Sequence, residues 1–181
     1  MKTNVPVHIR PHLVSFFFHE IQGKEIHYLN FRSKSFGLMF SSSLSKIIRL
    51  LLVKTPVPIK LTELKILLTI NESHNQKQYS GSVFQVVSGK YHFLELPEEA
   101  TEVINDLFED IFRIAFVYYV TGHTENSAFP HIIRAINSFI DKYELLEFGF
   151  SVESLRRLYY REIKKNTKLS RLGLVSNRIA K

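Results

Sequence analysis

The sequence predicts an α+β protein, with antiparallel strands and one helix in its first half and three helices in its second. The first observation behind this is a change of apolar period near Leu96. Before it, apolar residues alternate, as in Val5, Val7 and Ile9 or Leu64, Ile66, Leu68 and Ile70, which suits a half-buried strand. After it they recur every three or four residues, as in Val103, Ile104, Leu107, Phe108, Ile111 and Phe112, which suits one face of a helix. The second observation is 45% hydrophobic residues, fifteen of them phenylalanine, in 181 residues. That is enough apolar surface for a real core and excludes a wholly disordered chain.

Taken in order, VPVHI is a strand, and LVSFFFHEI is a second apolar stretch beyond Pro11, read as a bulge or edge position. Gln22, Gly23 and Lys24 turn the chain into EIHYLNF, its expected hairpin partner, and SFGLMF is a further strand. Ser42 or Ser43 caps a helix whose face is Leu44, Ile47, Ile48, Leu51 and Leu52, with Pro56 and Pro58 as its stop. IKLTELKILLTI is a strand, NESHNQKQYSG a loop, and SVFQVVSGKYHFLEL a hairpin turning at Ser88 and Gly89.

The second half opens with Pro97 in a first helical turn, where Glu98, Glu99 and Glu102 complement the positive end of the dipole. Ile114 to Val120 are apolar all round, so this helix is expected to be a buried spine, stopping at Gly122. A second helix is expected from Pro130 to Leu146, with Ile132, Ile133, Ile136, Phe139, Ile140 and Tyr143 inward, and a third after Ser151. The expected division is residues 1–96, 97–165 and a basic, mobile tail 166–181, with no linker composition near Leu96.

Charge is distributed one-sidedly. Of 24 Lys and Arg, nine lie in Ser151–Lys181, and of 17 Asp and Glu only Glu153 and Glu162 do. The net charge of +7 therefore sits there entire, and Met1–Phe150 is neutral. Such an asymmetry points to a polyanionic partner. The stretch FGFSVESLRRLYYREIKK shares features with a helix-turn-helix: Gly149 at the turn, Phe148 and Phe150 beside it, Ser151 as cap, and Leu155 and Leu158 facing the preceding helix. Glu144 and Leu145 depart from that pattern, which wants an apolar and a small residue there.

On this third helix Val152, Leu155, Tyr159 and Ile163 are expected inward, and Arg157, Tyr160, Arg161, Lys164 and Lys165 outward. With Arg156, Lys168 and Arg171 they form the candidate nucleic-acid-binding set. Arginine and lysine pair with phosphate, and tyrosine can stack on an unpaired base. The expectation is a small nucleic-acid-binding accessory or regulatory protein, DNA favoured. The alternative is a non-enzymatic assembly module, joining itself or another protein, whose basic helix is a solvated face. Lys164 and Lys165 would suit a helix C-terminus without any partner, and the acidic segment 95–110 could neutralise the basic one.

Other chemistry finds little footing. With no cysteine there is no disulfide, thiolate metal site or cysteine nucleophile, and His8 and His12, four apart, are separated by Pro11. No metal, cofactor or catalytic residue is assigned. Ser41 to Ser45 lack the glycines and lysine of a phosphate-binding loop, so capping explains them. PHIIRA followed by Tyr159 or Tyr160 resembles the His, Arg and Tyr order of tyrosine recombinases. The glycine and histidine pair expected between them is absent, Gly149 being followed by Phe150, and Arg113 falls in the expected spine, so the resemblance carries no role over. The amino terminus has no signal-peptide core and no apolar run approaches the roughly 20 residues of a membrane span, so a cytoplasmic protein is expected.

Overall fold

The computed structural model of the chain describes residues 2–28, 31–39, 41–55, 65–71, 93–125 and 131–164. The α+β class holds: the described residues form a four-stranded sheet, a two-stranded sheet and five α-helices. They divide into two units, Met1–Asn105 and Asp106–Lys181.

In the first unit, β1 (Lys2–His8), β2 (Lys24–Tyr28), β3 (Phe31–Leu38) and β5 (Lys65–Asn71) build the larger sheet in the order β1-β5-β3-β2. β1 runs antiparallel to β5, with Val5 opposite Leu68, and β2 and β3 are an antiparallel hairpin. The central pair, β3 and β5, is parallel, with Phe36 opposite Leu68. Alongside the expected antiparallel strands this pair is parallel, since the chain leaves β3 through a helix before returning, which supplies the crossover a parallel pair needs. Leu67 and Leu68, neighbours on opposite faces of β5, are both fully buried, as expected of a strand covered on both sides.

The segment read as a second strand is a helix, α1 (Pro11–Glu20). Pro11 occupies its first turn, where a missing N–H costs nothing, and Leu13, Phe16 and Phe17 fall three and four apart on the buried side. The helix packs on β3 through the Phe17 and Phe36 rings, 6.4 Å apart. Gly23 lies so close beneath that an added Cβ would stand 2.5 Å from Phe18 Cδ2. The turn at Gln22 and Gly23 is present, but it joins a helix to β2, whose hairpin partner is β3.

α2 (Ser43–Leu51) is capped as expected: the Ser42 hydroxyl accepts from the Ser45 N–H at 3.1 Å. It ends before the prolines, because Leu52 turns extended and leads into β4 (Val53–Thr55), which pairs antiparallel with β6 (Phe93–Glu95). NESHNQKQYSG beyond Asn71 and most of the expected hairpin around Ser88 and Gly89 lie outside the described residues, as do Pro56 and Pro58.

α3 (Glu98–Glu125) starts where the acidic first turn predicts, and its opening turns belong to the first unit. It does not stop at Gly122. That glycine has no positive φ and no crowding at its Cβ position, so it is carried inside the helix at a modest propensity cost.

The second unit holds the rest of α3, then α4 (Ile132–Lys142), a 3-10 turn (Leu145–Phe148) and α5 (Val152–Lys164). Its core is aromatic. Phe139 lies 5.8 Å from Phe112, 5.0 Å from Phe116 and 4.6 Å from Tyr143, ring centre to ring centre. Two expectations change here. Ile133 is exposed, since the buried face of α4 is Ala135, Ile136, Phe139 and Ile140. In α3, Phe116, Val117 and Val120 are buried but Tyr118 faces solvent, so the apolar run is not covered all round.

Candidate nucleic-acid interface

α5 owes its start to two serines and a glycine. Gly149 adopts φ +79°, a left-handed conformation that costs an L-residue energy but a glycine very little. Through it the Phe150 N–H reaches back to donate to the Leu145 carbonyl at 3.3 Å. The Ser154 N–H then donates to Ser151 Oγ at 3.1 Å and the Ser151 N–H to Ser154 Oγ at 2.9 Å. These bonds satisfy donors that a helix start otherwise leaves unpaired, in the reciprocal manner of a capping box.

The inward face is Leu155, Leu158, Tyr159 and Glu162, spaced three and four apart. This corrects the expected stripe: Val152 is only half-buried, and Ile163 is 41% exposed while Glu162 takes the buried place. The Tyr159 ring stands edge-on to Phe116 at 6.4 Å, and its hydroxyl lies 3.5 Å from that of Thr121. Burial of Tyr159 fixes how far the helix can rotate, and hence which residues look outward.

Outward, the side chain of Arg157 is 78% exposed and that of Arg161 58%, with Arg156 and Lys164 exposed beside them. Glu153, one turn earlier, takes both Arg156 and Arg157 at 3.1 Å. Arg161 stands 3.8 Å from Glu162. The two Glu153 pairs are solvent-facing, worth under about 1 kcal/mol each and readily exchanged for another anion. Tyr160 is 51% exposed and lies between them, its ring 5.7 Å from that of Tyr159 at 65°. The structure thus brings Arg156, Arg157, Tyr160, Arg161 and Lys164 onto one surface. Lys165, Lys168 and Arg171 lie outside the described residues.

The connection to α4 carries the predicted turn glycine in its left-handed conformation, with Leu145 buried and Glu144, also left-handed at φ 54°, exposed. It also carries the four-residue 3-10 turn, which makes it longer than the three- or four-residue turn of a helix-turn-helix. Of the recombinase-like residues, His131 and Arg134 are exposed and Tyr159 is buried, its hydroxyl turned toward Thr121. Among the described residues no three His, Asp or Glu side chains group so as to hold a metal ion, and no helix is long and apolar enough to cross a membrane. No family model, curated protein or solved structure matches the chain, so the chemistry of α5 is read from its own residues.

Proposed function

We propose that the protein binds nucleic acid, DNA foremost, as a small accessory or regulatory protein, through the outward face of α5 and the basic residues that follow it. The observation that carries this is the exposure of Arg157, Arg161 and Lys164 on the one helix that opens the charged end of an otherwise neutral chain. The carboxylate beside Arg156 and Arg157, Glu153, is on the same helix and half exposed, so phosphates can replace it at little cost.

Binding of a labelled oligonucleotide, followed by fluorescence anisotropy as salt is raised, tests the reading. Affinity is expected to fall linearly on a log–log plot against salt, and Arg157→Glu with Arg161→Glu to weaken it roughly tenfold or more at moderate salt. A double variant that binds like the parent removes α5 from the interface. A second reading, an assembly module, draws on Ile133 and Leu146, apolar residues of the same unit that are 52% and 64% exposed. A strictly monomeric protein at high concentration by light scattering would dispose of self-assembly.

A further inference from the structure

The basic face of α5 carries an exposed aromatic ring among its cations. Viewed down a helix of about 3.6 residues per turn, Tyr160 has Arg156 and Ile163 on one side and Arg157 and Lys164 on the other. Tyr160 and Ile163 are both substantially exposed, although the chain buries 28 other hydrophobic residues among those described. The Tyr160 ring stands edge-on to that of Tyr159 at 5.7 Å, and Tyr159 is itself buried against Phe116. About half of the Tyr160 surface is nevertheless left to solvent.

An exposed ring beside a buried one, with cations along both edges, suits a flat apolar ligand that carries phosphates. We infer that α5 binds single-stranded nucleic acid, with an unpaired base stacked on Tyr160 and its flanking phosphates held by Arg157 and Lys164. This rests on the nucleic-acid reading above and specifies its form. Arg157 and Lys164 are about 10 Å apart along the helix axis at 1.5 Å per residue, which leaves room between them for one base. Stacking accepts any base, because every base has a π-face.

A duplex fits the same surface less well. Its guanine edges could pair with the arginines and lysine of this face, but its adenine edges are read by asparagine or glutamine. α5 contains neither, and an intact duplex offers no free base face to the exposed ring of Tyr160. A membrane surface would also meet cations and a ring, but it offers no planar partner to the ring face.

The full-length chain should be titrated with a mixed-sequence single-stranded oligonucleotide, with the duplex of the same sequence, and with vesicles of phosphatidylserine and phosphatidylcholine. Tyr160→Ala is expected to lose between about fivefold and about a hundredfold in single-strand affinity while duplex affinity changes less than twofold. Tyr160→Phe keeps the stacking and should bind like the parent. Tyr160→Trp supplies an optical readout, since the chain has no other tryptophan: its emission should be quenched by the single strand. Equal losses on both oligonucleotides, or no loss on either with tryptophan emission left unquenched, would overturn stacking while leaving nucleic-acid binding in place. If the parent binds neither oligonucleotide at low salt, or binds only the vesicles, the underlying reading falls with it.

Discussion

Asn105 is buried in the first unit and uses every polar atom of its side chain. Its Oδ1 accepts from the Arg10 N–H at 2.9 Å, and its Nδ2 donates to the carbonyls of His8 and Thr101, each at 2.9 Å. It thereby joins the end of β1 and the start of α1 to the first turns of α3. Leucine has nearly the same volume and neither donor nor acceptor, so Asn105→Leu leaves the Arg10 N–H and the His8 carbonyl, part-buried in these bonds, without that partner. A fully buried orphan costs about 1–3 kcal/mol and these two are part-buried, so a loss of about 1–3 kcal/mol in urea-unfolding free energy is expected. A loss below about 0.5 kcal/mol would mean that water replaces the amide. Nothing in the local sequence marks this residue, because its partners are 97 and 95 positions away. An isolated polar residue in a helical apolar face is the only trace it leaves.

α5 and its entry turn were legible in the sequence because every signal is local: a glycine where φ must be positive, a serine cap, and apolar residues three and four apart. Gly149→Ala forces an L-residue into the left-handed region, at roughly 1–2 kcal/mol, while an added Cβ would meet nothing within 4 Å. A fall of several degrees in the melting temperature is therefore expected, with the fold retained by circular dichroism; an unchanged melting temperature would show that the turn can rearrange. Elements whose identity depends on distant neighbours were misread. Pro11 suits a strand edge and a helix start equally, and Phe16, Phe17 and Phe18 in succession carry no period, so only docking on β3 reveals α1. The parallel pairing of β3 with β5 is likewise a long-range choice. On α5 the expected stripe favoured apolar Ile163 over Glu162, whereas spacing from Leu155 and Leu158 selects position 162. That error hid the exposure of Ile163 at the rim of the candidate surface.

At the scale of the whole molecule, the charge footprint exceeds what one helix displays. α5 carries Arg156, Arg157, Arg161 and Lys164 against Glu153 and Glu162, an excess of two, and the other five positive charges are Lys165, Lys168, Arg171, Arg178 and Lys181. Changing those five to glutamine in the full-length chain brings the net charge from +7 to +2 and leaves the α5 surface as it is. If they pair with phosphates, the plot of log affinity against log salt must flatten, because a phosphate that is no longer neutralised keeps its counterions. The change is about 0.7 per phosphate on a single strand and about 0.9 on a duplex. The parent and the five-site variant, measured on both forms of one oligonucleotide, therefore report how many of the five touch the backbone. A flattening of about two to 3.5, the latter for all five at about 0.7 each, is expected on the single strand, with residual binding that remains sensitive to Tyr160→Ala. A slope that does not move would confine the interface to α5 and reduce the basic end to an electrostatic attractor, which changes the association rate but not the number of phosphates held.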